Sequence, residues 1–262
     1  MKHPNDHYYL VEVQYLGFRY HGWQKQPQVK TVQGMIEKTI KYIRPGKPFK
    51  LIGSSRTDAM VSAEHAAFQL IVREALDLDE FIQLMNINLP PDIRILDASS
   101  ISSEFNIIQH AKSKHYRYFF AYGSRFHPFC APYLAFIHGT LNITDMEEGA
   151  RNYEGTHNFE RFCDNSKQEK ECIRQIDYCR LFRNNIFKAD FMPQESYYLE
   201  VHGKGFLRYQ IRYMMGALLD IGKGDLSLAE QKSALNIGGE EPVAGKAPAS
   251  GLNLHKIVFD QG

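Results

Sequence analysis

No run of about 18 apolar residues occurs in the chain, so it offers no candidate membrane-spanning helix. Its start, "MKHPNDHYYL", lacks the apolar centre of a secretory signal, and a soluble, cytoplasmic protein is expected. Cysteine is scarce. The four thiols, Cys130, Cys163, Cys172 and Cys179, are irregularly spaced and none sits in the Cys-x-x-Cys pair that zinc or redox chemistry favours, so reduced thiols are expected. The cluster "THNFERFC" supplies His157, Glu160 and Cys163 but no companion ligands, and no metal is expected. An excess of positive charge is also missing: 31 Lys and Arg face 30 Asp and Glu, for a formal charge of +1. A polyanionic partner would therefore have to be held by a local basic cleft rather than by the field of the whole protein. No internal repeat is visible.

What is present is a globular composition of 262 residues, 44% hydrophobic, long enough for one large domain or two ordinary ones. The aromatic load, 17 Phe and 15 Tyr, suits a packed core first and base-stacking surfaces second. "YYLVEVQYLG" alternates, with Tyr9, Val11, Val13 and Tyr15 on one face, and reads as a half-buried strand. Thr31 is placed to cap a helix with Val32, Ile36, Ile40 and Ile43 on its apolar stripe, ending before Pro45. "AAFQLIVRE" reads as a strand, Leu78 to Asn88 as a helix stopped by Pro90 and Pro91, and "IRILDA" as a further strand. The serine-rich stretch near residue 100 suggests a boundary, giving an N-terminal domain over 1–104 and a C-terminal one over 105–262.

The second half opens on "KHYRYFFAYG", a strand with Tyr116, Tyr118, Phe120 and Tyr122 on one face. A helix near Thr144 to Tyr153 follows, then strands in "ECIRQIDYCRLFRN" and "YYLEVHG". The helix in "FLRYQIRYMMGALLDIG" carries Leu207, Ile211, Met214, Met215 and Leu218, with Gly222 as a stop. A short helix within Leu226 to Asn236 and a strand "GLNLHKIVF" complete an α+β pattern in both halves.

Four segments carry candidate chemistry. In "GSSRTDAMV", extended backbone would put Arg56 and Asp58 on one face, where the guanidinium favours an ionised carboxylate able to act as nucleophile or base; a turn Asp beside a surface Arg is the simpler alternative. The stripe begun by Tyr116 could stack a base, with Lys114 and Arg117 nearby, or face the core. Arg208 and Arg212, at i and i+4, would project from one side of a helix toward a carboxylate or phosphate, or snorkel to water. "FRYHGWQKQPQVK" interleaves Arg19, Lys25 and Lys30 with Tyr20, His21 and Trp23, a composition suited to single-stranded RNA and common in ordinary loops.

Taken in order, "YHGWQKQP" with "TVQGMIE", "RTDAMV", "NINLPPDIRI", "KHYRYFF", "GTHNFERF", "FLRYQIRYMMGALLDIG" and "APASGLNL" resemble the TruA family of tRNA pseudouridine synthases over nearly the whole chain. The resemblance implies the pseudouridine synthase fold: two similar α/β-sandwich, ferredoxin-like domains whose sheets join around a central catalytic cleft. It implies a homodimer that needs no cofactor, binds tRNA, and engages neither membrane nor DNA. Asp58 aligns with the catalytic aspartate, Arg56 with the arginine beside it, Tyr116 with the active-site tyrosine, and Arg212 with the arginine that pairs with the aspartate. Leu252 and Leu254 match an apolar wall near the base, and Tyr20, Trp23, Lys25 and Arg208 join Arg56 as expected RNA contacts. The implied reaction breaks the uracil–ribose C–N bond, turns the base and joins it through C5, on a uridine of the tRNA anticodon stem-loop. Met60 and Ser62 depart from the family's usual Gly and His, and Ser55 from a common Gly. These departures favour a divergent synthase, on another uridine or RNA, as one alternative. A catalytically weak RNA-binding protein is another, opposed by the retained carboxylate; a glycosidic hydrolase lacks a second acidic catalyst.

Overall fold

The computed structural model describes residues 5–123, 126–164, 172–239 and 241–260. The chain divides into two compact units, Met1–Lys112 with Leu254–Gly262, and Ser113–Asn253. The first holds β1 (His7–Tyr15), α1 (Val32–Ile43), β2 (Phe49–Gly53), β3 (Ser62–Val72), α2 (Leu78–Asn88) and β4 (Ile93–Ser100). From β5 (Ala111–Gly123) the chain enters the second unit, which continues through β6 (Ala135–His138), α3 (Ile143–Arg151), β7 (Gly155–Asn158), β8 (Ile173–Ile176), β9 (Tyr178–Arg183), β10 (Tyr197–Gly203), α4 (Gln210–Lys223) and α5 (Leu228–Asn236). The last strand, β11 (Leu252–Phe259), brings the chain back to the first unit. The architecture is α+β.

In the first unit β1 lies between β4 and β3, antiparallel to both, and β3 also pairs with β2 and with β11. The period-two pattern of β1 is realised: Tyr9, Val11, Val13 and Tyr15 are all buried. Thr31 caps α1 by accepting a hydrogen bond from the Gly34 amide, and Val32, Ile36 and Ile40 turn inward. Asp77 caps α2 in the same way, and Phe81 and Met85 anchor that helix against β4. The helix ends at Asn88 because Leu89, the residue before Pro90, is held extended. The serine-rich stretch begins inside the sheet, with Ser99 and Ser100 opposite Leu10 and Tyr9.

In the second unit β10 lies between β5 and β9, antiparallel to both, while β6 runs parallel to β5. Tyr118 and Phe120 face the core, and α3 packs on α4 and β9. Glu171, at the head of a predicted strand, lies outside the described residues; the strands themselves are β8 and β9.

Two helix ends differ from the sequence reading. Gly222 does not stop α4; it packs face-on against Met146 of α3, where a Cβ would come within 2.6 Å of the sulfur. The helix runs to Lys223 and Gly224 caps it in the left-handed conformation, φ +84°. At the other end Tyr209 is itself left-handed, φ 59° and ψ 8°, so α4 begins at Gln210, and Leu207 and Arg208 precede it. Arg208 and Arg212 are therefore not neighbours on one helix. Among the described residues no helix is long and apolar enough to cross a membrane.

Candidate active site and RNA interface

Residues 54–61 connect β2 to β3 and carry Arg56 and Asp58. The loop is fastened at both ends and in the middle. Ser54 donates to the Ala67 carbonyl from its amide at 3.0 Å and from its hydroxyl at 2.6 Å. The Thr57 carbonyl accepts from the Trp23 amide at 3.1 Å, and its hydroxyl lies 2.8 Å from the Tyr15 hydroxyl. The Val61 amide closes a turn on the Asp58 carbonyl at 3.2 Å, and the Met60 amide donates to the Tyr20 carbonyl at 3.0 Å. Thr57 is buried while Arg56 is exposed and Asp58 half-buried, the alternation expected of extended backbone. Arg56 makes no ion pair among the described residues, so its guanidinium stands in water.

The loop "YHGWQ" is the other half of this fastening. Gly22 adopts φ +85°, and a Cβ there would lie 2.6 Å from the Thr57 carbonyl oxygen, so only glycine lets the two loops approach this closely. Tyr20 and Trp23 are only 2% and 3% exposed. Trp23 packs between Tyr15 and Phe68, with centroid distances of 5.9 and 6.3 Å, and against the bare backbone of Gly53. The Tyr20 hydroxyl donates to Asp92 at 2.7 Å, and Arg19 grips the same carboxylate through Nε and an Nη at 2.9 Å. Burial, then that carboxylate, pushes the Tyr20 phenol up to about 12, so it stays a hydrogen-bond donor. Both rings, expected from sequence as RNA contacts, are thus occupied by protein and support the Asp58 loop from beneath. Lys25 is exposed and ion-paired to Glu37 at 2.7 Å.

The second unit holds Tyr116, 8% exposed, opposite Val201 in the register of β5 and β10 and edge-on to Phe206 at 5.3 Å. Two positions before it, Lys114 has its ammonium pKa lowered by burial. On α4, Arg212 Nε donates to the Ala247 carbonyl at 2.8 Å, and the Ala247 amide returns a bond to the Arg212 carbonyl at 3.0 Å. The Tyr118 hydroxyl donates to the Pro248 carbonyl at 2.8 Å, and burial raises its pKa against the pull of the Arg212 charge. Arg208, although off the helix, returns to the same place: its guanidinium lies 4.9 Å from the Tyr209 ring centroid, and that of Arg212 lies 5.4 Å from it. Leu252 and Leu254 are buried on β11.

A family model described as tRNA pseudouridine synthase matches residues 12–107 and 150–260. The chain belongs to that family. Proteins named tRNA pseudouridine synthase A align over nearly their whole length. That of Geotalea daltonii is 32% identical, covering 94% of this chain and 97% of the relative. That of Acetivibrio thermocellus is 31% identical, with 94% and 97% covered, and that of Phytoplasma mali 30%, with 97% and 99%. The α+β architecture is consistent with the pseudouridine synthase fold, the enzyme is an isomerase, and tRNA is its substrate.

The two departures beside Asp58 now have a physical content. Met60 has φ +68°, the left-handed conformation that favours glycine, so the turn carries a side chain at a position whose backbone suits none. Ser62 is buried, and its hydroxyl accepts from the Gly17 amide at 2.9 Å, tying β3 to the loop after β1. Met60→Gly is expected to raise the unfolding free energy by about 0.5–1 kcal/mol, a left-handed penalty of roughly 1–2 kcal/mol offset in part by glycine's chain entropy. A urea midpoint that stays put or drops would show that Met60 is unstrained.

Two residues of the second unit escaped the sequence reading. Tyr209 looks like one more aromatic in a helix, and Lys246 like one more surface lysine. Only the turn before α4 and the packing of residues 245–248 on that helix bring them together.

Proposed function

We propose that this tRNA pseudouridine synthase acts on a uridine of the anticodon stem-loop, with Asp58 as the catalytic carboxylate, either attacking the nucleotide or removing a ribose proton. The observation that carries the proposal is the pinned loop: Tyr20, Trp23 and Ala67 fix its backbone and Tyr15 holds the Thr57 hydroxyl, with Asp58 left half-buried in its unit. A loop held this firmly, with an acidic group at its turn, has the preorganisation that nucleophilic catalysis needs. By resemblance, Arg212 supplies the positive charge that keeps such a carboxylate ionised, Tyr116 stacks on the uracil or helps remove its C5 proton, and Leu252 with Leu254 forms the apolar wall. Lys25 and Arg208, both exposed, contact the RNA backbone. The target base must leave its stack, at a cost of about a few kcal/mol, and Arg56 either fills the vacated space or contacts a phosphate. The enzyme works as a cytoplasmic homodimer.

Met60 and Ser62 favour a second reading, a synthase of the same chemistry directed at another uridine, because they change the side chains near the carboxylate. Uridine-specific chemical mapping of RNA from cells with and without the protein separates the two. Loss of pseudouridine in the anticodon stem-loop supports the first and loss elsewhere the second. If no pseudouridine disappears, both fail.

A further inference from the structure

Three cations converge on one ring. Lys246 Nζ lies 4.4 Å from the Tyr209 centroid, Arg208 4.9 Å and Arg212 5.4 Å. Lys246 is also 5.6 Å from the ring of Tyr213, one turn along α4. Gathering three like charges around a single side chain is unfavourable unless something offsets it, and the aromatic face supplies only part of that. Arg208 has Asp164 at 3.8 Å, whereas Lys246 forms no ion pair among the described residues.

The gathering is built into the backbone. Residues 245–248 are laid on α4 by the paired hydrogen bonds between Arg212 and Ala247 and by the Tyr118 hydroxyl on the Pro248 carbonyl. Gly216 admits them: a Cβ there would lie 1.8 Å from the Gly245 carbonyl oxygen. Tyr209 then gives up ordinary backbone geometry, with φ 59°, to set its ring beneath all three cations, and its hydroxyl accepts from Arg208 at 3.2 Å. A tyrosine in the left-handed conformation is an unfavourable state that persists only where its surroundings hold it.

We propose that Lys246 and Arg208 form a seat for one backbone phosphate of the RNA substrate, and that Tyr209 is the positioning residue that holds them together. Both cations are exposed and reach the phosphate from two segments far apart in sequence, so the seat fixes the register of the strand relative to α4. The proposal rests on the synthase activity; it gives Arg208 a specific phosphate and assigns Lys246 and Tyr209, which the proposed function leaves idle.

The test uses the full-length enzyme and an unmodified tRNA transcript. Lys246→Ala is expected to raise KM roughly tenfold, with a much smaller change in kcat, as befits loss of one charge-assisted contact. It should also reduce the slope of log Kd against log salt by about one. Tyr209→Leu, which removes no formal charge, is expected to reproduce both effects, and Tyr209→Phe, which keeps the ring, to lose less. In transcripts with single methylphosphonate linkages, neutralising one linkage near the target uridine should weaken the wild type and add nothing to Lys246→Ala. The seat is overturned if Lys246→Ala leaves Kd and salt slope at wild-type values, if Tyr209→Leu does so while folded, or if linkage and lysine penalties add. Asp58→Ala run alongside keeps the two readings apart: an active Asp58→Ala refutes the catalytic assignment, and the seat is then still decided by binding.

Discussion

Asp58→Asn is expected to lower kcat for pseudouridine formation roughly a thousandfold or more while leaving tRNA affinity within about threefold. Asparagine keeps the size of the side chain but is neither an anionic nucleophile nor a base. The bonds that fasten the loop to β3 and to the 20–23 segment run through backbone groups and through Tyr15, Thr57, Ser54 and Ala67, and asparagine leaves all of them in place. A carboxylate also repels an RNA backbone, so its removal gives no ground for weaker binding. A large fall in affinity with kcat preserved would make Asp58 a binding or structural residue.

Trp23→Ala gives the second large effect, and it separates two accounts of the same ring. With Trp23 packed on Tyr15, Phe68 and Gly53, its truncation is expected to cost about 3–5 kcal/mol of stability, lowering the thermal midpoint by roughly 10 °C. Activity should fall with stability, because the ring supports the segment whose amide holds the Thr57 carbonyl, one residue before Asp58. If Trp23 stacked on RNA instead, KM would rise with the thermal midpoint unchanged. Thermal melts and steady-state kinetics on the same preparation distinguish these outcomes.

Both effects trace to a part of the fold that the sequence describes well only in outline. The alternation of β1, the Thr31 cap and the prolines after α2 are local signals with local causes, and they place β1, α1 and α2 correctly. The side of the chain to which an aromatic turns is not local. "YHGWQ" has the composition of an RNA-contacting loop, yet the bare backbone at Gly53 and the ring of Phe68, both far along the chain, create the slot that takes Trp23 inward. The same limit applies to α4. Helical spacing runs unbroken through Leu207, Ile211 and Met214, and nothing in a tyrosine marks it for the left-handed conformation, so Arg208 reads as helical. Its meeting with Arg212 is restored by a turn rather than by helix periodicity.

Residue order carries more than composition does. A charge of +1 gives no sign of a polyanionic partner, whereas the structure gathers Arg208, Arg212 and Lys246 about one ring. Local charge density, set by tertiary contacts, is what an RNA strand meets.

The central claim, that Asp58 drives uridine isomerisation in tRNA, is tested most directly by single-turnover release of tritium from C5-labelled uridine in a tRNA transcript, since the new carbon–carbon bond expels that hydrogen. The account predicts stoichiometric release by the wild-type enzyme and release slowed by roughly a thousandfold or more by Asp58→Asn at saturating protein. Comparable release by the two proteins, or none by the wild type on tRNA that it binds, would contradict it.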